Sequence, residues 1–314
     1  MLRILGPTYT YQGETLHDKI VYIDDHCYHS ESGTFPVQKL LQANPGDRLL
    51  VFDHLGHDDV LNTYPHVCLP VYLADELEQF IKQQIQPNWT NKRHCFNFMI
   101  NKPRPNRQRL MELVVVHGLT DFCHTLPWSQ SPFPDHIPIT DYKFGDEVCL
   151  DQGIKNGRYL NAMTYQSLLQ KSVFEPTCVS LITEPCFYEK EIMITEKTLM
   201  SIFAGTIPLW IGGWRLPDAM RDLGFDVFDD IVDHSYSQLP NAWQRLQQAF
   251  DLNLDLLRDT SHLLRLMPVL QSRLQANLDL LLTNPFLGLV RQRVGVNPQL
   301  RAVANCWAHL KNLV

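Results

Sequence analysis

The chain has 314 residues, 45% of them hydrophobic, and a formal net charge of −7. That length supports two ordinary domains or one large one with a self-sufficient core, and the mild acidity excludes a global electrostatic drive toward nucleic acid or anionic lipid. Eight cysteines without a Cys-x-x-Cys pair, no signal-like N-terminus and no long apolar run predict a cytoplasmic protein with reduced thiols and no membrane span.

The first ninety residues read as a small α/β domain. "LRILG", "KIVYIDD", "RLLVFDH" and "HVCLPVYL" are short apolar runs of strand type, and "DELEQFIKQQI" has helical spacing. Two of the strands end on aspartates, Asp25 and Asp53. "HLGHDD" and "DDHCYH" cluster histidines, but neither has a full tetrahedral ligand set, so no metal is expected. The polar, aperiodic "QPNWTNKRH" (86–94) marks the boundary of a domain spanning 1–90.

Beyond it, "CFNFMI" predicts a strand and "RQRLMELVVVHG" a helix closed near Gly118. Between them Pro103 and Pro105 stiffen a short loop carrying Lys102, Arg104, Arg107 and Arg109. Cations gathered where a helix begins oppose its dipole, which leaves two readings: a solvated basic loop, or a phosphate site gripped by Arg107.

The alternation continues through "TDFCHTL" (strand), "MTYQSLLQKSV" (helix) and "TCVSLITE" (strand), which ends on Glu184. "ITEKTLMSIFAGTIPLWIGG" then opens a helix at Thr195, an N-cap, and passes through Gly205 to a buried strand. Glu196 and Lys197 fall in the first turn of that helix. Glutamate suits the dipole there and lysine does not, so Lys197 is either solvated or faces a bound anion. A further helix, "WRLPDAMRDLGF", closes at Gly224, and "LPNAWQRLQQAFDLNLDLLRD" begins a helical tail. The predicted architecture is therefore α/β, two Rossmann-like domains facing across a cleft: 1–90, 91–238, and a helical tail over 239–314. Ligands belong at the carboxyl ends of such strands, where Arg107, Glu184, Glu196 and Lys197 all fall.

The order "FNFMINKPRPNRQRL", "SLITEP", "MITEKTLMSIFAGTIPLWIGG" resembles the donor-binding domain of the fucosyltransferase family of GT-B glycosyltransferases, in particular its small divergent viral and bacterial members. The likeness covers about residues 95 to 235. It implies that Arg107 binds the donor diphosphate, that Glu196 holds the ribose hydroxyls and that Lys197 faces phosphate, with Thr195 and Glu184 beside them. This chain departs from the family at "TEPCFYEKE", where Glu184 replaces an asparagine-containing segment only approximately. The implied partners are a GDP-sugar and a glycan acceptor, with inversion and no cofactor or metal; no Asp-x-Asp triplet occurs. The general base would come from the N-terminal domain, with Asp53 the first choice and Asp25 the second. Two alternatives remain: a phage-type DNA-modifying glycosyltransferase acting on a hydroxymethylated base, and a non-catalytic nucleotide-sugar-binding module.

Overall fold

The computed structural model describes residues 2–5, 20–23, 49–52, 56–57, 66–68, 70, 74, 77–78, 81–82, 89–98, 105–125, 146–147, 154–155, 158–159, 173–184, 187, 191–211, 213–296 and 300. The protein is α/β, and it divides into two compact units. One comprises 1–82, 189–194 and 284–314; the other comprises 83–188 and 195–283. Residues 163–172 of the predicted helix over 163–173 and the strand-end residues Asp25 and Asp53 lie outside the described residues.

In the first unit, β1 (Leu2–Leu5), β2 (Ile20–Ile23), β3 (Leu49–Phe52) and β5 (His66–Cys68) form a parallel sheet in the order β1-β2-β3-β5. Strands β4 (Gly56–His57) and β12 (Glu191–Ile192) pair antiparallel. Ala74 and Leu77, both helical, are fully buried. Asn284 donates from Nδ2 to the Ala74 carbonyl at 3.0 Å and caps Leu287 N with its Oδ1. Arg293 donates to the Cys68 carbonyl. The last helix, Pro285–Val296, buries Phe286, Val290 and Val294, the spacing of one helical face.

The second unit contains β6 (His94–Phe98), β7 (Cys123–Thr125), β8 (Asp146–Glu147), β11 (Thr177–Ile182) and β13 (Ile207–Trp210), all parallel, in the order β13-β11-β6-β7-β8. The short β9 (Ile154–Lys155) and β10 (Arg158–Tyr159) pair with each other. Every residue of β11 and β13 is buried, as a parallel sheet covered on both faces requires. The helices of this unit are α1 (Pro105–Val116), α2 (Glu196–Phe203), α3 (Leu216–Asp222), α4 (Ala242–Leu252) and α5 (Thr260–Leu282). Helix α1 packs on α4, while α5 packs on α2, β6 and β11. Pro105, expected in the loop, is instead the first residue of α1, where its missing N–H costs nothing and its fixed φ suits the helix.

A polar seam runs through this apolar core. Asn97 Nδ2 donates to Thr177 Oγ1 (2.5 Å) and Ser180 Oγ (3.1 Å), and Thr206 Oγ1 lies 2.7 Å from both Ser180 Oγ and Ser201 Oγ. These bonds cross-link β6, β11 and α2 with Thr206, the residue before β13. The seam thereby fixes their register more tightly than apolar contacts alone could.

Candidate functional site

The chain runs outward from β6 through β7 to β8, returns to start β11 on the other side of β6, and ends at β13. The winding direction reverses between β6 and β11. In open parallel sheets of this kind a crevice opens beyond the carboxyl ends of the two strands that flank the reversal. Two sequence segments reach that point: the start of α1, carrying Arg107, and Thr183–Glu184, which follow β11.

Arg107 spans the gap between them. Its Nε donates to Thr183 Oγ1 at 3.2 Å and one terminal nitrogen donates to the Thr183 carbonyl at 3.3 Å. The residue is only 4% exposed, which rules out the solvated-loop reading for this arginine. Arg109 is the surface cation of the pair: it is exposed and bonded to Glu112 at 2.9 Å and Gln247 at 3.1 Å. Lys102 and Arg104 lie outside the described residues.

Thr195 caps α2 as the sequence predicts, in extended backbone conformation, with its hydroxyl oxygen accepting from Lys197 N. Glu184 completes the cap from the segment that follows β11. Its Oε1 accepts from Thr195 N (3.0 Å) and Thr198 Oγ1 (2.7 Å), and its Oε2 accepts from Thr195 Oγ1 (2.5 Å). In a local capping box the residue three beyond the cap supplies this carboxylate. Here that position is Thr198, and the segment that follows β11 supplies the acid instead. Burial pushes the Glu184 carboxyl up, while the Lys197 charge and the Thr195 and Thr198 hydrogen bonds pull it down. Trp210 Nε1 donates to Thr198 Oγ1 at 3.0 Å and ties β13 into the same cluster.

Lys197 is 7% exposed, so it is no solvated first-turn charge. Its Nζ lies 2.6 Å from Glu196 Oε1 and 3.4 Å from Thr195 Oγ1. Burial would raise the Glu196 carboxyl, but the adjacent Lys197 and the Arg107 charge outweigh it and hold that group below its ordinary value. Arg107, Glu184, Thr195, Glu196 and Lys197 thus form one cluster on the rim of the sheet.

The far end of α2 is pinned as well. Trp89 Nε1 donates to the Phe203 carbonyl at 3.0 Å and Lys92 Nζ to the Ala204 carbonyl at 2.7 Å, satisfying helix-end acceptors. Gly205 leaves the helix at φ 57°, and a Cβ there would come within 2.7 Å of the Trp89 ring.

Four residues of the rim are not predicted by the sequence patterns: Asn106, Thr183, Thr198 and Trp210. Asn106 is buried, and among the described residues its Nδ2 has no hydrogen-bond partner. The spacing Thr195 to Thr198 is a usable signal, since a hydroxyl three beyond a threonine cap stays on the first turn. Nothing local distinguishes the others. Among the described residues no group of three or more metal-ligating side chains comes together, and no helix is long and apolar enough to cross a membrane. Comparison of the chain with protein-family models, curated proteins and solved structures gave no match.

Proposed function

We propose that the protein is a glycosyltransferase that moves a fucose-like sugar from a GDP-sugar to a hydroxyl of a glycan acceptor by metal-independent, inverting displacement. The observation that carries this reading is the pair of buried cations, Arg107 and Lys197, at the carboxyl ends of the strands flanking the reversal in the sheet. Two fixed positive groups in a water-poor rim suit a diphosphate, whose charge grows as the bond to the sugar breaks. Glu196, kept ionised beside them, is an acceptor for ribose hydroxyls. Glu184 and Thr195 hold the first turn of α2 in place rather than meeting the ligand themselves. The family resemblance adds the sugar, the nucleotide and a GT-B-like pairing of two Rossmann-like domains.

In the reaction, a carboxylate takes the proton of the acceptor hydroxyl as its oxygen attacks the anomeric carbon, and the diphosphate leaves with the bonding electrons. Asp53 is the first choice for that base and Asp25 the second. Thermal shifts with GDP, UDP, CDP and dTDP test the donor. A nucleotide present at about 100 times its dissociation constant adds about 2.7 kcal/mol of stability. GDP should stabilise the protein without added metal; a shift with UDP alone, or one that needs manganese, would overturn the GDP-sugar reading.

A further inference from the structure

Trp243 stands in the first turn of α4 and is 40% exposed. Two separate lines of contact place it beside the rim that carries Arg107 and Glu184. Its ring packs against Phe187 with centroids 4.8 Å apart and planes at 69°. Phe187 is three residues beyond Glu184, a span of at most about 11 Å. On the other side, Gln247, one turn along α4 from Trp243, accepts from Arg109 at 3.1 Å, two residues beyond Arg107. His117, just past the end of α1, lies against Phe250 at 5.4 Å. Helices α1 and α4 therefore run in the same sense, and α4 begins on the carboxyl side of the sheet, as α1 does.

The support beneath the indole is rigid. Phe187 is buried, and its carbonyl accepts from Arg245 at 2.8 Å. Arg245 is itself fully buried and also donates to the Leu239 and Pro240 carbonyls at 2.8 and 3.1 Å. One guanidinium thereby ties the segment after Glu184 to the turn that opens α4. A large ring with few rotamers, held on such a base, binds a ligand with little loss of side-chain freedom.

The surroundings of Trp243 decide what that ligand is. Leu252, at the far end, is the other exposed large hydrophobic residue of α4, so the apolar surface at Trp243 is one indole wide. A stable protein partner covers about 800 Å² on each side, far more than that. Nucleic acid needs open cations for its phosphates, but Arg245 is buried and Arg109 is engaged by Glu112 and Gln247. A nucleobase sits in a slot that covers most of its surface, whereas this ring is open to solvent. Beside it are the exposed amides of Asn241 and Gln244, which carry donors and acceptors without charge. A pyranose matches all of this: one face of C–H groups about the size of an indole, and an edge of hydroxyls for the amides.

We propose that Trp243 is the stacking surface for one pyranose ring of a carbohydrate, whose hydroxyls bond to the Asn241 and Gln244 amides; its role as a subsite for the acceptor glycan rests on the glycosyltransferase reading. The test is ¹⁹F NMR of protein labelled with 5-fluorotryptophan, the Trp243 signal being the one lost in Trp243→Phe. The probes are methyl β-galactopyranoside, methyl β-glucopyranoside and methyl β-N-acetylglucosaminide, with glycerol, which has hydroxyls but no ring face, as comparator. The expected result is a saturable shift of the Trp243 signal with at least one glycoside, none with glycerol, and no displacement of the glycoside by GDP. Saturation-transfer NMR follows the same glycoside in unlabelled variants, where Trp243→Ala should weaken binding about tenfold or more and Trp243→Phe, which keeps a ring, by less. No saturable shift with any glycoside, an equal response to glycerol, displacement by GDP, or unchanged binding in Trp243→Ala would each overturn the proposal. The glycosides are read without a donor, so the two readings fail separately. Glycoside binding in a protein that no nucleotide stabilises keeps this surface and removes the donor site; stabilisation by GDP without a glycoside response does the reverse.

Discussion

Glu184 and Thr195 are bound to each other twice: the carboxylate of Glu184 accepts both the backbone N–H and the hydroxyl of Thr195, at 3.0 and 2.5 Å. One strand end thereby fixes the first turn of α2, and with it the positions of Glu196 and Lys197. Glu184→Ala leaves the Thr195 and Thr198 donors without an acceptor inside the protein, and should cost about 3 kcal/mol. Glu184→Gln, which keeps one acceptor, should fall between it and the wild type. Urea unfolding decides; a loss below about 1 kcal/mol in the alanine variant would mean that water replaces the carboxylate without penalty.

Arg107→Ala and Lys197→Ala should each weaken GDP binding by about 1.5–3 kcal/mol, the worth of one charge-assisted contact. Arg109→Ala is the comparison, because that side chain is exposed and engaged with Glu112 and Gln247. Isothermal titration of all three variants separates the buried cations from the surface one. Equal affinities throughout would remove the diphosphate from this rim.

The proposed base makes a separate prediction. Asp53→Asn should bind GDP as the wild type does, yet transfer sugar about 10²–10⁴-fold more slowly. Asp25→Asn is the parallel variant, and steady-state transfer assays rank the two. Normal turnover in both would move the base away from these strand ends.

Lys92 gives a pH dependence with a definite sign. Burial lowers its pKa from 10.5 to about 7. Between those values the unfolded chain binds the proton that the folded protein has released, so this residue makes stability rise with pH from about 7 to 10.5 and contributes no slope below 7. Lys92→Met should flatten that rise. Urea midpoints measured across the window check it, and an unchanged slope in the variant would assign the titration to another group.

Gly205 and Gly118 share a left-handed backbone, at φ 57° and 66°, but not a neighbourhood. Gly118→Ala meets open space and should cost only the backbone strain, about 1 kcal/mol. Gly205→Ala also drives a methyl into the Trp89 indole, which is held by its bond to the Phe203 carbonyl, and should cost about 1–3 kcal/mol more. Equal thermal destabilisation of the two variants would mean that Trp89 moves aside freely.

Much of the local structure was legible in the sequence because its causes lie within a few residues. Thr195 caps α2 through a neighbour two positions away, Gly118, Gly205 and Gly224 leave their segments at positive φ, and the short, mostly apolar "TCVSLI" and "IPLW" are strands buried along their whole length. The α/β class followed from that alternation. What the sequence did not determine is which strands become neighbours. β6 and β11 pair across some eighty residues of chain, and only that pairing creates the reversal that gathers Arg107, Thr183 and Glu184 at one point. Nor did it determine that Lys197 and Arg107 are buried, that Pro285–Val296 clusters with the first strands rather than with α4 and α5, or that His234 meets Asp229. Caps and turns are decided by backbone hydrogen bonds within a single turn. Strand order and burial are decided by which apolar faces cover each other, a property of the whole packed chain that no short window of residues contains.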